Sequence, residues 1–377
     1  MVLLAVFALL AAGCSSDDAD DGAQPAVGDE PAVADEPMVE AEPMDEAEPM
    51  VEAEPMVEAE SMDDEEPMDD AEPLTLGYVV AGDSQDGGFY QGQIDAARAA
   101  AEVHGWDFIV VDQVNPGAAQ EAFQNLARQG PDIIVGGGAE LTDGFIPVAC
   151  SGEFDRISWF LVAPFPPPEP CFATGDSNEA EAHYIGGIAM GLLLDRSEDD
   201  TIACDIAGPE LDFVQNAAAH LAAGLRDHNP DYELRVTFTG DFENAALAQE
   251  AAQAQIDQGC SVIYPYLGGA LSAVVRAGNN AGIHVVATSV NRCGDPTADF
   301  AMGITFNPAT WINQVFDSIA SGDLANGDSL GLLGVADDAG VGAVICDASP
   351  EEQQVLDDIA AQIAAGEIDF EAIAGGG

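Results

Sequence analysis

Lysine is absent from this chain of 377 residues, and arginine supplies all eight of its basic side chains. Against them stand 69 aspartates and glutamates, which give a formal net charge of −61 at pH 7. A protein of that charge repels phosphate backbones and anionic headgroups, so the composition argues against nucleic acid as a partner. The absence of lysine also excludes a Walker-type phosphate loop and a Schiff-base enzyme.

Signatures of catalytic and metal sites are missing as well. No C-x-x-C or H-E-x-x-H motif occurs, and the five histidines are scattered along the chain, which argues against zinc and redox sites. The one G-x-S-x-G match, at 327–331, follows a polar loop, and no histidine comes after it. A hydrolase triad of the usual order needs that histidine. We therefore expect no enzyme, no catalytic residue, no metal and no cofactor.

The acidic residues are not confined to one tail. Residues 1–73 hold 24 carboxylates, which leaves 45 in the remainder together with all eight arginines. Because an unpaired buried charge costs several kcal/mol, most of these carboxylates must face water. The pattern favours adaptation to a salty environment, where counterions screen the self-repulsion. The alternative is that the acidity itself recruits a cationic ligand.

The apolar run at the N-terminus, Val2–Ala12, is too short to span a bilayer and is typical of a signal peptide. It leads into the sequence LAAGC, which ends at Cys14 and resembles a bacterial lipobox. That resemblance implies cleavage after a signal peptide of residues 1–13 and lipid attachment to the Cys14 thiol. We expect an extracytoplasmic protein that is anchored to the cell membrane by its lipid. One departure is that no basic residue precedes the apolar run.

Residues 14–73 read as an acidic spacer rich in proline and methionine. A hexapeptide repeat of the type EPMVEA begins at Glu36, and every copy but one contains a proline. Proline interrupts helices and like charges extend a chain, so we predict a stalk. The methionines recur every six residues, and thioethers suit Cu(I). Repeat expansion explains that spacing equally well, and we predict no metal site.

Six further cysteines follow Cys14, and an even number in an exported chain favours disulfides. Cys150 and Cys171 flank a predicted strand and a proline-rich loop. We predict a bond between them. The pairing of the other four stays open.

From residue 74 the chain alternates apolar strands with amphipathic helices, in two series. Strands of the two series are predicted at 74–81, 108–112, 132–135, 157–162, 201–206, 233–239, 261–266 and 283–288. Helices are predicted at 92–103, 118–128, 213–227, 245–258 and 271–281. This alternation predicts an α/β fold of two similar lobes, each a parallel sheet flanked by helices. We place lobe 1 at about 74–175 plus a C-terminal segment and lobe 2 at about 176–300, within a domain of residues 74–377.

Five short segments carry a resemblance to a known family. They are DGGFYQ at 86–91, GDFE at 240–243, AAQAQIDQGCSVI at 251–263, LGG at 267–269 and DAGVG at 338–342. In order and spacing they resemble the basic membrane protein family of ABC-transporter substrate-binding lipoproteins, several of which bind purine nucleosides. The resemblance implies a type I periplasmic-binding-protein fold, hinged around a central cleft, that delivers a small molecule to membrane permease subunits.

The same resemblance implies where the ligand binds. It points to Asp86 and Phe89 after the first strand and to Phe242 in the other lobe. Two rings from opposite lobes would stack on a planar base, while glycines let backbone amides approach it. The full set of expected ligand contacts is Asp86, Phe89, Tyr90, Gly138, Phe242, Gly268, Gly269, Ser289, Asn291 and Asp338. The alternatives are that the phenylalanines are core residues and that Asp86 caps a helix.

Three departures from the family pattern bear on the ligand. The segment 289–291 reads SVN where the family usually has Asp-x-Asp, and Ala336 lies near the position of an expected lysine. The strand at 158–163 runs into proline-rich sequence without the usual acidic residue. The groups that hold ribose in nucleoside binders are therefore partly missing here. A purine nucleoside remains the first expectation, and a similar planar polar solute also fits the altered walls. We expect a monomer; a sensory receptor of the same fold that signals to a membrane partner is the alternative function.

Replacing Cys14 with serine tests the anchor. Without the thiol no lipid can be attached, and we expect the protein to leave the membrane because no other apolar segment is long enough to hold it. Detergent-phase partitioning measures this. Retention of the variant in the detergent phase would contradict the lipoprotein prediction.

Overall fold

The computed structural model describes residues 73–374 apart from residue 198. The predicted signal peptide, Cys14 and almost all of the acidic spacer lie outside the described residues. Among the helices that are described, none combines the length and apolar character needed to cross a bilayer.

The described chain alternates strands and helices as the sequence predicts. The strands are β1 (Thr75–Val79), β2 (Asp107–Val111), β3 (Ile133–Gly136), β4 (Ser158–Val162), β5 (Ala173–Ser177), β6 (Ile202–Ala207), β7 (Glu233–Phe238), β8 (Val262–Tyr266), β9 (His284–Ser289), β10 (Met302–Thr305), β11 (Ser329–Leu333) and β12 (Gly342–Ile345). The helices are α1 (Phe89–His104), α2 (Ala119–Ala127), α3 (Thr142–Ala149), α4 (Glu179–Leu194), α5 (Asp212–His228), α6 (Ala245–Ile256), α7 (Leu271–Ala281), α8 (Ile312–Ser321), α9 (Pro350–Ala364) and α10 (Phe370–Ala374).

The strands form two sheets of six, which confirms the predicted α/β fold of two lobes. The first sheet has the order β11-β5-β4-β3-β1-β2 and the second β12-β10-β9-β8-β6-β7. Neighbouring strands pair in parallel, except that β12 runs antiparallel to β10. In both sheets the first strand of the series lies between the second and the third, the arrangement that places ligands beyond the carboxyl ends of the strands.

The chain passes between the two sheets three times. It leaves the first sheet after β5, returns after β10 to supply β11, and passes again to supply β12 to the second sheet. The second sheet therefore includes two strands beyond residue 300, the approximate end predicted for lobe 2. Strand β5, which ends at Ser177, belongs to the first sheet. Three connections between lobes allow a hinge without separating the lobes.

The helices α4 and α5 pack closely against each other. Every residue from Ala182 to Leu194 in α4 is buried. Two glycines permit the approach, because a Cβ at Gly187 would overlap the carbonyl oxygen of Leu221 and one at Gly224 would overlap that of Tyr184. The contact therefore brings backbone against backbone, and no larger side chain fits at either position.

Six cysteines form three disulfides. Cys150 is bonded to Cys171, as the sequence analysis proposed. The remaining pairs, which the sequence left open, are Cys204–Cys260 within the second sheet region and Cys293–Cys346 between the β9–β10 loop and the end of β12. The last of these ties the segment that follows β9 to the end of β12, and both belong to the second lobe.

The substitution Gly224→Ala tests the helix contact. Because the new methyl group overlaps a backbone carbonyl on α4, the helices must separate, and we expect a loss of more than about 2 kcal/mol in the free energy of unfolding. Denaturant titration measures it, with the exposed α5 substitution Gln215→Ala as the control. Equal stability of the two variants would show that the helices do not meet as described.

Candidate ligand-binding site

A cavity of about 210 Å³ lies between the two sheets, at the carboxyl ends of their strands. Both lobes and the connections between them line it. Six aromatic side chains form much of its wall: Phe89, Tyr90, Phe213, Phe242, Tyr266 and Phe306. A site of this kind suits a small molecule with a planar or apolar face, because rings offer large contact areas at low cost in conformational entropy.

The rings form two groups that are connected through Phe306. In the second lobe Phe242 is nearly parallel to Phe213, with centroids 6.3 Å apart and planes 18° apart. In the first lobe Phe89 contacts Tyr90 edge to face at 5.5 Å. Phe306 joins the groups, with its centroid 6.3 Å from Phe89 and 6.1 Å from Tyr266. Phe89 and Phe242, the two rings that the sequence placed on opposite lobes, therefore both line the cavity.

Asp86 organises the start of α1 and does not line the cavity. Its carboxylate accepts hydrogen bonds from the backbone amides of Gly88 at 2.8 Å, Gln91 at 3.1 Å and Tyr90 at 3.2 Å. These amides open a helix and would otherwise lack partners. The structure thus gives Asp86 the helix-capping role that the sequence analysis held as its alternative. Through that role Asp86 fixes where Phe89 and Tyr90 enter the cavity.

Asn307, which the sequence analysis missed, joins the lobes behind the cavity. Its amide nitrogen donates to the carbonyl oxygens of Gly88 at 3.2 Å and Phe89 at 3.1 Å, and to the Ser289 hydroxyl at 3.2 Å. The side chain occupies space beside Gly92, where a Cβ would lie 2.7 Å from its nitrogen. One buried amide therefore holds the start of α1 against the end of β9.

Four other predicted contacts lie off the cavity wall. Ser289 is buried with φ of 64° and meets Asn307. Asn291 accepts a hydrogen bond from the Cys293 amide, and Asp338 adopts φ of 54° in the turn between β11 and β12. The amide of Gly269 donates to Glu243 at 2.9 Å. These residues shape the loops around the site.

Two predicted glycines do line the cavity, and each leaves room for a carboxylate. A Cβ at Gly138 would lie 2.5 Å from the carboxylate oxygens of Glu140. A Cβ at Gly268 would overlap the carboxylate of Glu243. A larger residue at either position would push an acidic side chain out of place.

Three acidic residues that the sequence analysis missed face this cavity: Glu140, Asp176 and Glu179. Tyr90 donates its hydroxyl to Glu140 at 2.8 Å, and Tyr266 donates to Glu179 at 2.6 Å. Asp176, at the end of β5, accepts from the backbone amide of Ser177 at 2.8 Å. The cavity therefore presents hydrogen-bond acceptors next to its rings.

Burial raises the pKa of each of the three carboxyl groups. For Glu179 the pKa rises to about 7, because desolvation and the charge of Glu140 outweigh the Tyr266 hydrogen bond. The pKa of Asp176 rises well above its ordinary value through burial and the nearby Glu179 and Glu140. Neither arginine nor histidine occurs among the residues that line the described cavity. Perturbed carboxyl groups of this kind are typical of functional sites.

The missed site residues lie mostly in elements that the sequence analysis did not assign. Asp176 and Glu179 belong to β5 and α4, and Phe306 follows β10. Strand β5 reads ATGDS, a composition with weak strand preference. The only local signal was Asn178, whose side chain accepts from the Glu181 amide and caps α4.

Comparison with known proteins shows which family this chain belongs to. The model for ABC transporter substrate-binding proteins described as PnrA-like matches residues 74–367. The chain belongs to this family. Members of the family are solute-binding components of ABC transporters, which confirms the resemblance seen in the sequence.

Individual relatives are more distant. Over 103 residues the chain is 34% identical to "Putative ABC transporter glucose-binding protein TsgA13" of Haloferax volcanii, and the alignment covers 27% of this chain and 25% of the relative. An ABC transporter solute-binding protein from Aeropyrum pernix K1 superposes with a TM-score of 0.70 at 16% identity, covering 79% of this chain and 93% of that one. A transcriptional activator of the comK gene from Bacillus halodurans gives 0.63 at 18%, covering 78% and 98%. The likeness to the two solved structures, at 16% and 18% identity, shows the shared fold alone.

The substitution Glu179→Gln tests the environment of that carboxyl group. A folded-state pKa of about 7 against an ordinary value of 4.5 means that the folded protein binds the proton more tightly than the unfolded chain between these values. The free energy of unfolding should therefore fall as pH rises through this window, and the variant should escape that loss. We expect it to be up to about 3 kcal/mol more stable than the wild type near pH 8, with no such gain near pH 4.

Denaturant titration at both pH values measures the effect. Glu250→Gln, at an exposed position of α6, is the control and should show the same small change at each pH. A stability difference for Glu179→Gln that does not vary with pH would contradict the assignment.

Proposed function

We propose that the protein captures a planar polar solute, with a purine nucleoside as the first candidate, between its lobes and delivers it to an ABC importer. The observation that carries this proposal is the interlobe cavity walled by aromatic rings from both lobes. Its place in the transporter family supports a role in solute uptake. The domain is then a hinged clamp whose closed form presents the loaded cavity to membrane permease subunits.

The arrangement of rings supports a planar ligand. Phe89 enters from the start of α1 in the first lobe, and Phe242 follows β7 in the second. A flat ring bound between them would gain stacking area on both faces only when the lobes close, which couples binding to closure. Stacking is tolerant of base identity, because every base has a π-face.

The polar groups of the cavity restrict the ligand further. Glu140, Asp176 and Glu179 are acceptors when ionised, so they favour amino, ring N–H and hydroxyl groups on the ligand. Nucleosides carry all three kinds of donor. Negatively charged solutes such as nucleotides are disfavoured, since their phosphates would face these carboxylates without a compensating cation.

Delivery to a permease depends on the predicted N-terminal features. Attachment through Cys14 would keep the domain at the extracytoplasmic face of the membrane, and the acidic spacer would give it reach. A monomeric domain is sufficient, because both walls of the cavity come from one chain.

A sensory role is the second candidate. The Bacillus halodurans protein described as a transcriptional activator shares the fold, so the fold alone does not distinguish transport from sensing. Uptake of radiolabelled solute by cells with and without this protein separates the two roles, because a sensor changes a response without changing uptake.

The ligand can be tested through the two phenylalanines. We expect Phe89→Ala and Phe242→Ala each to weaken nucleoside binding by about 5-fold to 150-fold, the range that corresponds to loss of one stacking contact. Each should also reduce ligand-driven closure, because a lobe without its ring gains less on closing. Calorimetry with adenosine, guanosine and inosine measures the first effect, and solution scattering the second.

Phe108→Ala provides the control. Its ring lies on β2 at the outer edge of the first sheet, under the Arg98 guanidinium at 5.0 Å, away from the cavity. It should lower stability without changing affinity. If the cavity variants lose stability as Phe108→Ala does but bind normally, the rings are scaffold and the stacking proposal fails.

A further inference from the structure

Among the described residues, the cavity between the lobes combines six aromatic rings with three carboxyl groups and no basic side chain, and we propose that its solute carries a positive charge. The ligand class is an organic cation, such as a quaternary amine or a cationic heteroaromatic ring. This inference rests on the proposed capture of a solute in the cavity, and it puts a positively charged ligand in place of the neutral nucleoside.

The three carboxyl groups come from three separate elements. Glu140 follows β3, Asp176 ends β5 and Glu179 begins α4. Each is held in place by a neutral donor, namely the hydroxyl groups of Tyr90 and Tyr266 and the amide of Ser177. A separate hydrogen bond thus holds each of the three acidic groups at the cavity wall.

None of the three is neutralised by a basic group in the described structure. The arginines that form ion pairs there, Arg196, Arg235 and Arg292, pair with carboxylates elsewhere. Like charges in a poorly hydrated space repel strongly, and the transfer of each ionised carboxylate out of water costs free energy. A cation in the cavity would offset all three groups at once, which neither a neutral nor an anionic solute can do.

The rings provide an independent argument for the same class. The face of an aromatic ring is electronegative, and cages of rings bind quaternary ammonium groups by cation–π attraction. Phe89, Phe242 and Phe306 offer rings without any polar atom. A wall of acidic groups alone would suit any donor, and a wall of rings alone would suit any apolar surface. The two together favour a cation that has an apolar or planar body.

A bare metal ion fits less well than an organic cation. Within residues 73–374, apart from 198, no group of three His, Cys, Asp or Glu side chains is close enough to hold a metal ion. The carboxyl groups are therefore spread over the wall of the cavity. Its volume of about 210 Å³ suits a small organic molecule better than a single metal ion.

The acidic composition of the chain does not by itself make the cavity selective for a cation. Surface carboxylates are hydrated and screened by salt, so they carry little selectivity for a ligand. Glu140, Asp176 and Glu179 lie at an interior wall, where their charge acts over a short range in a poor solvent for ions.

Binding of such a cation should depend on pH. The titratable groups around Glu179 include Glu140, Asp176, Tyr264, Tyr266 and His183. Burial lowers the pKa of His183 to about 4, so it is neutral near pH 7 and supplies no opposing charge. Since the pKa of Glu179 is about 7, acidification below this value protonates Glu179 and should weaken cation binding.

Matched pairs of probes test the charge directly. Calorimetry with the Cys14→Ser full-length protein would compare 1-methylnicotinamide with nicotinamide, and choline with 3,3-dimethylbutan-1-ol, with adenosine as a separate nucleoside probe. The two cations keep their charge at every pH used, so any pH effect belongs to the protein. We expect the cation of at least one pair to bind at least about tenfold more tightly than its neutral partner near pH 8, and this ratio to shrink near pH 6.

Variants tie the preference to the cavity wall. The double substitution Glu140→Gln/Glu179→Gln leaves Asp176 as the one acidic group of the three and should strongly reduce the charge preference, while Glu250→Gln on the surface should leave it unchanged. Circular dichroism and thermal melting establish that each variant is folded. Loss of the preference in Glu250→Gln would assign it to general surface charge and overturn the proposal.

The outcomes distinguish this inference from the proposed function. If adenosine binds but neither cation exceeds its neutral partner, the charge inference is overturned and nucleoside capture stands. If a cation shows the preference and adenosine does not bind, the charge inference stands and the nucleoside identity fails. If neither cation binds at millimolar concentration, the charge inference is likewise overturned.

Discussion

The shortage of cations is the constraint on which the rest of the structure depends. Carboxylates outnumber basic side chains 69 to 8 in this chain, so interior acidic groups cannot rely on ion pairs. Neutral donors take that role instead. Glu140 and Glu179 accept from the hydroxyl groups of Tyr90 and Tyr266, and the partly buried Asp86 accepts from backbone amides. Asp205 has no hydrogen-bonding partner among the described residues, and burial raises its pKa to about 8, so it is neutral near pH 7.

The same constraint gives the cavity its character. In a chain with ordinary composition, an arginine or lysine could neutralise an acidic group that faces a ligand. Here tyrosine hydroxyls hold Glu140 and Glu179, and no arginine or histidine of the described cavity wall competes with a ligand for these carboxyl groups. Glycines are the counterpart of this arrangement, because Gly138 and Gly268 leave the space into which carboxylates fold. At this site the tyrosines hold the carboxyl groups in place, and the glycines leave the space that carboxyl groups occupy.

The lobes are joined by a few buried contacts that also position the rings. Asn307 binds backbone oxygens at the start of α1 and the hydroxyl of Ser289, and Asp86 binds the amides of the same helix start. Movement of one lobe relative to the other therefore displaces Phe89 directly. A ligand that holds Phe89 and Phe242 together would stabilise one arrangement of the hinge.

By itself the sequence determined the alternation of elements, the two lobes and the family, because strand and helix periods and turn residues are local properties. The predicted helix 271–281 agrees with α7, and Phe89, Tyr90, Gly138, Phe242 and Gly268 line the cavity. Tertiary structure decided the rest. Helix α4 has no polar face to reveal a helical period, β5 forms by pairing with β4 and β11, and Glu140, Asp176 and Glu179 meet only when three elements converge. Their raised pKa values come from that shared burial, which no local pattern encodes.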